Sequence, residues 1–129
     1  MVFGTFDVFH KGHESFLRQA YYYGDFLVAV VARDETVAKV KKRRTKNNER
    51  KRLLVLKKSG LVDKAILGNL GDKYAVIKKY KPDVIALGYD QDVFVSELKN
   101  KLIEFKLDKT RLVRLKSYYP KKYKSSLLG

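Results

Sequence analysis

Three features of this 129-residue chain predict a three-layer α/β/α sandwich around a parallel sheet. Short runs rich in valine and isoleucine alternate with segments of helical periodicity. The longest run, DFLVAVVA at 25–32, is almost unbroken in apolar residues, as a strand covered on both faces requires. Helical segments separate the strands, which implies right-handed crossovers and parallel pairing. With 45% apolar residues and no internal repeat or linker, one domain over 1–129 is expected.

The elements follow in order. Met1-Val2-Phe3 is the first strand, very short for a central one, so it reads as clipped or as lacking a few residues ahead of it. A turn follows, and 15–23 reads as a helix. Residues 25–32 are the second strand. Residues 34–40 read as a short helix with Asp34 as N-cap. Residues 41–48 hold almost nothing apolar and read as an exposed, mobile loop. Residues 49–59 set Leu53, Leu54 and Leu56 among charges, an amphipathic helix ended by Gly60. Residues 64–67 are a third strand. Gly68-Asn69-Leu70-Gly71 reads as a turn, because no lysine or serine follows it as in a P-loop. Residues 74–80 are helical and stopped by Pro82, and 84–87 form the next strand. Residues 91–105 read as a helix whose apolar face is Val93, Phe94, Leu98, Leu102 and Phe105, and 112–115 as a last strand. The whole is Rossmann-like.

Composition narrows the function. No cysteine is present, so disulfides, a thiolate nucleophile and cysteine-ligated metal are excluded. No run is long enough to span a membrane and no signal-peptide pattern occurs, so a cytoplasmic protein is expected. The net charge of +15 is concentrated. Residues 39–58 carry eleven basic residues against the single acid Glu49, a net +10. Lys116, Lys121, Lys122 and Lys124 form a second group. Polyanionic ligands fit such clusters, whether nucleoside triphosphate, phosphorylated co-substrate or nucleic acid.

The chemistry-bearing residues gather where strands end. His10 and His13, the only histidines, flank Lys11 and Gly12 at a strand-to-helix turn. Helix N-terminal N–H groups attract phosphate, Gly12 admits close backbone approach, and two imidazoles one turn apart share a side. A zinc site would need a third ligand from Asp7 or a distant carboxylate and is disfavoured. Gly88-Tyr89-Asp90 follows the fourth strand, where Asp90 caps a helix or accepts from a ribose or base. Lys116 and Tyr118 follow the fifth. Ligands of open parallel sheets bind at that edge. Arg50 and Arg52 open the 49–59 helix, placed for a bidentate phosphate clamp.

Gly4-Thr5-Phe6-Asp7 followed by His10-x-Gly12-His13 resembles the signature of the HxGH nucleotidyltransferases, which transfer a nucleoside monophosphate and release pyrophosphate. The segments VVARDETV at 30–37, VDKAILG at 62–68 and KPDVIALGYDQ at 81–91 resemble the archaeal-type FAD synthases among them, so the likeness runs over about 2–115. It implies transfer of AMP from ATP to FMN. It also implies that Thr5, Phe6, His10, Lys11, Gly12, His13, Asp90 and Tyr118 contact ATP, with His10 and His13 catalytic. Asp7, Lys41, Arg43, Arg52 and Lys116 then serve the phosphates or the second substrate. Ser125 and Ser126 resemble the family's hydroxyl-rich phosphate motif, although Leu127 stands where a third hydroxyl belongs.

Under that resemblance, Mg²⁺ or another divalent cation rides on the nucleotide phosphates without a protein cage. The FMN phosphate is already nucleophilic at neutral pH, so catalysis is positioning plus charge stabilisation. A glycerol-3-phosphate or sugar-phosphate cytidylyltransferase of lipid or cell-surface synthesis is the alternative. A basic nucleic-acid-binding module, with Tyr118, Tyr119 and Tyr123 stacking bases, ranks lower because it leaves the histidine pair unexplained. Tyr21-Tyr22-Tyr23 packs in the core or forms a homodimer contact, with at least one ring expected in the core.

Overall fold

The computed structural model describes residues 1–42, 44–88 and 92–116, the side chains of 41 and 92–94 excepted. Among the described residues five strands and five helices follow in the predicted order, and the crossover from the second to the third strand carries two of the helices. The strands are β1 (Val2–Gly4), β2 (Val28–Val31), β3 (Lys64–Leu67), β4 (Val84–Leu87) and β5 (Arg111–Arg114). The helices are α1 (Lys11–Tyr21), α2 (Asp34–Lys41), α3 (Glu49–Lys58), α4 (Ala75–Tyr80) and α5 (Asp92–Glu104). The sheet order is β3-β2-β1-β4-β5, and every pairing is parallel. The three-residue β1 therefore lies at the centre, with β2 on one side and β4 on the other. Strand order reverses between β1 and β4, which opens a crevice at their C-terminal ends.

Side-chain alternation along β2 explains the unbroken valine run. Ala29 and Val31 enter one core with Leu17 and Ala20 of α1 and Leu56 of α3. Val28 and Val30 enter the other with Val76 and Ile77 of α4 and Leu98 and Leu102 of α5. Each face of the sheet is thus roofed by its own helices, the arrangement that parallel strands need. Leu17 and Leu56 are fully buried, so truncating either to alanine costs about 2–5 kcal/mol. The outer strands carry Lys64, Arg111 and Arg114, charges that discourage edge-to-edge pairing.

Helix ends follow local chemistry. Gly60 at φ 73° follows the C-cap of α3, as the sequence predicts, and the Asn48 side chain accepts from Lys51 N to start that helix. Gly71 at φ 83° makes the 68–71 turn. Asp34 is not the N-cap of α2. Arg33 holds that position, and Asp34 is the first helical residue, its carboxylate engaged elsewhere. The expectation that one ring of Tyr21, Tyr22 and Tyr23 is core is also corrected. All three are exposed, because they lie at the end of α1 beyond the last buried position, Ala20. Among the described residues, no helix is long and apolar enough to cross a membrane.

Candidate active site

The loop leaving β1 folds back on its own strand. A Cβ at Gly4 would lie 2.8 Å from the Phe6 ring, so only glycine allows this return. Phe6 is 4% exposed, with its ring 5.6 Å from that of His13 and 6.2 Å from that of Phe16. Its side chain is therefore core, and it supports an imidazole instead of meeting a nucleotide; only its backbone remains for that task. Phe6 and Val8 both adopt left-handed backbone, at φ 54° and 49°. For a β-branched residue this is strained, and such strain gathers where a loop must present ligand groups.

His10 is the N-cap of α1, and His13 is the third residue of the helix. His10 Nδ1 accepts from Gly12 N at 3.0 Å, and His13 Nδ1 accepts from His10 N at 3.2 Å. The two imidazoles thus form a reciprocal capping box, a role usually filled by serine and glutamate. Their rings stack with centroids 4.0 Å apart, and Phe9 stacks on His13 at 5.4 Å. Each Nδ1 is an acceptor, so each neutral ring carries its proton on Nε2. Burial pushes the His10 pKa below its ordinary 6.5, which favours that neutral form.

This geometry changes the reading of Gly12 and of the helix terminus. The Gly12 N–H is already spent on His10, so it is not an open phosphate cradle. A Cβ at Gly12 would lie 2.7 Å from His10 Cε1, so the glycine makes room for the ring instead of the ligand. The capping pair leaves the ring proton of each neutral imidazole on Nε2, close to the positive end of the helix. Lys11, at the first helical position, is exposed beside them.

A second group ties the α2–α3 connection to this loop. Arg52 is 1% exposed, and its Nε donates to Asn47 O at 3.0 Å, its Nη1 to Thr5 O at 2.8 Å and its Nη2 to Asp34 Oδ1 at 2.6 Å. It is a buried tie and not the phosphate clamp expected, since its fork faces inward. Asp34 Oδ2 accepts from Glu49 N at 3.1 Å while Glu49 Oε1 accepts from Asp34 N at 2.9 Å. The N-termini of α2 and α3 therefore cap each other. Arg33 completes the network, donating to Glu49 Oε2 at 2.8 Å and Gly68 O at 2.7 Å.

Asp7 joins the two groups. Its carboxylate accepts from Lys46 N at 2.7 Å and Asn47 N at 3.0 Å. Burial alone would raise its pKa, but those backbone donors and the Arg52 charge outweigh it and hold the carboxyl below the ordinary 3.8. Thr45 Oγ1 donates to Asn47 O at 2.6 Å. The 44–48 segment is thus tethered, contrary to the mobile loop its composition predicts. Periodicity does carry the missed signal. Arg52 stands four residues before the buried Leu56 and beside Leu53, on the apolar stripe of α3.

Thr5, His10, Lys11, Gly12 and His13 lie together where β1 ends, and Lys116 arrives from β5. Leu115 N donates to Leu87 O at 2.8 Å, and Lys116 pairs with Gln19 of α1 through both backbone groups. The Lys41 side chain, Arg43, Asp90, Tyr118, Ser125 and Ser126 lie outside the described residues. Among the described residues no group of three or more histidine, aspartate or glutamate side chains is arranged to hold a metal ion.

Comparison with known proteins agrees with this architecture. The model of the cytidylyltransferase-like family matches residues 1–128. The FAD synthase of Methanothermus fervidus is 44% identical over 121 residues, covering 92% of this chain and 82% of that protein. The FAD synthase of Pyrococcus horikoshii is 43% identical over 122 residues, covering 94% and 82%. The crystal structure of the lipopolysaccharide core biosynthesis protein from Thermoplasma volcanium superimposes with a TM-score of 0.83 at 38% identity, covering 92% of this chain and 95% of that one. The sheet order, the histidine-capped helix and these matches agree, and this chain belongs to the cytidylyltransferase-like family.

Proposed function

We infer that this chain is an FAD synthase, a nucleotidyltransferase that moves AMP from ATP to FMN. An FMN phosphate oxygen bonds to the α-phosphorus as the bond to the α–β bridging oxygen breaks, and pyrophosphate leaves with that electron pair. The acceptor is anionic at neutral pH, so the site needs no strong base. It needs donors fixed where charge grows. The observation that carries this reading is the reciprocal histidine cap, which fixes both rings at the head of α1 and leaves Nε2 as the protonated nitrogen of each neutral ring. His10 and His13 donate to the α-phosphate and the bridging oxygen, with Lys11 and the helix N-terminus adding positive potential.

Mg²⁺ or another divalent cation rides on the ATP phosphates, as the family resemblance implies. Asp7 and Arg52 act on the second substrate indirectly, by holding the basic 44–48 segment beside the β1–α1 loop. Lys41, Arg43, Asp90, Tyr118, Ser125 and Ser126 keep the phosphate and nucleotide roles that the family resemblance gives them. A sugar-phosphate cytidylyltransferase is the second reading, favoured by the Thermoplasma volcanium relative named for lipopolysaccharide core biosynthesis.

Pyrophosphate release is the test, with ATP and CTP each paired with FMN and with glycerol 3-phosphate. Release only from ATP plus FMN, with FAD as product, is expected. Release from a CTP pair instead overturns the substrate assignment while leaving the site chemistry standing.

A further inference from the structure

The chain leaving β5 does not run straight off the sheet. Leu115 N donates to Leu87 O, which carries the backbone past the end of β4, and Lys116 then reaches α1. There the Gln19 carboxamide takes both backbone groups of Lys116. Gln19 Nε2 donates to Lys116 O at 2.9 Å, and Gln19 Oε1 accepts from Lys116 N at 2.9 Å. A side chain pairing with both groups of one distant residue imitates a strand partner and fixes position as well as direction. Nε2 also lies 3.1 Å from Ser15 Oγ, one turn earlier on the same helix, so the amide is held in one orientation.

Geometry makes this clip part of the ligand crevice. The crevice opens where β1 and β4 diverge in strand order, at their C-terminal ends. The head of α1, which carries the histidine pair, and the exit of β5 both border that end of the sheet. Gln19 is the group that joins them, and it sits about 9 Å down the helix from His13 at 1.5 Å per residue. Lys116 itself is exposed. Gln19 itself is only half-buried and lies outside both apolar cores, so packing alone gives it little to do.

We propose that Gln19 is a positioning residue for ATP: by clipping the backbone of Lys116 to α1 it sets the width of the crevice and holds the Lys116 cation over the nucleotide phosphates. This rests on the nucleotidyltransferase reading for its ligand, but not on FMN as the acceptor. Gln19 touches no reacting atom and acts only through Lys116.

Gln19→Met keeps length, helix preference and packing and removes both hydrogen bonds to Lys116 along with the one to Ser15. The variant should bind ATP with Mg²⁺ about tenfold more weakly by titration calorimetry, the scale of two exposed hydrogen bonds between a side chain and the backbone. KM for ATP should rise in parallel, while KM for FMN and Tm stay at the wild-type values. Ser15→Ala, which only frees the amide to rotate, should give a smaller loss in the same direction. In a double-mutant cycle with Lys116→Ala the two effects should be non-additive. Wild-type ATP affinity in Gln19→Met overturns the proposal, as does a fall in Tm with KM for ATP and for FMN rising together. Failure of the wild type to make FAD would reject the acceptor and leave the ATP titrations to decide on Gln19.

Discussion

At the scale of single residues, two histidines do the work of a helix cap and of a ligand site at once. The cap fixes the tautomer, and the tautomer fixes what each ring offers outward. Gly12→Ala tests this coupling. Alanine favours the helix by up to about 1 kcal/mol, yet its Cβ would strike the His10 ring at 2.7 Å. Turnover should drop at least about 100-fold, the scale of losing an oriented electrostatic donor, with Tm unchanged or raised. Retained kcat would mean that the ring orientation is irrelevant. The pH profile gives an independent check. Burial lowers the folded pKa of His10, so folding is opposed by its protonation. Its contribution to stability is fully present above the ordinary 6.5 and is lost as pH falls through the lower folded value. A protonated Nδ1 cannot accept from Gly12, so the cap and the donor geometry fail together. The proton resonance of His10 Cε1 should titrate with a midpoint below 6.5, and kcat/KM should stay level down to that midpoint. A midpoint above 6.5 would contradict the buried, neutral cap.

At the scale of elements, the sequence announced the strands better than the connections. Valine runs and the Gly60 punctuation are local signals, and β2, β3, β4 and α3 lie where those signals put them. The 41–48 stretch looked like a solvated loop because its composition is polar. The tethers on its 44–48 part come from Asp7, about forty residues away in sequence, and from Arg52, whose partners lie on three different segments. Only a folded sheet brings those partners within reach. For the same reason a phosphate role was natural for Arg52 in sequence and is untenable once its three hydrogen bonds are seen. Arg52→Met should therefore destabilise the fold by about 3 kcal/mol, since Thr5 O and Asn47 O lose their donor and Asp34 its counter-charge. Urea unfolding measures this directly. An unchanged midpoint with a raised KM would return Arg52 to the substrate. The candidate site was legible as a set of strand-end residues, and its cross-segment ties were not, because hydrogen bonds between distant segments leave no periodic trace.

At the scale of the whole molecule, charge and topology point at the same edge. The sheet order puts the crevice at the C-terminal ends of β1 and β4, and the basic 39–58 window reaches that edge through the contacts of Asp7 with Lys46 and Asn47. Only part of the basic surface is neutralised locally. Glu49 pairs with Arg33, Asp34 with Arg52 and Glu35 with Lys39, while the 39–58 window keeps its net +10 in sequence. Both substrates are polyanions, so a protein of net charge +15 should attract them over distance. Salt screens that attraction with a Debye length of about 8 Å at 0.15 M, while donors in direct contact with phosphate are screened far less. Raising KCl should therefore lower kcat/KM for ATP and FMN several-fold and leave kcat nearly constant. The nucleic-acid reading makes a different forecast from the same charge. It requires salt-sensitive binding of DNA or RNA that competes with ATP at the crevice. Steady-state kinetics across a salt series, with and without a single-stranded oligonucleotide, separates the two. Salt-insensitive kcat/KM would show that the charge has no part in capturing substrate, and competitive inhibition at low micromolar oligonucleotide would make nucleic acid a ligand of this edge.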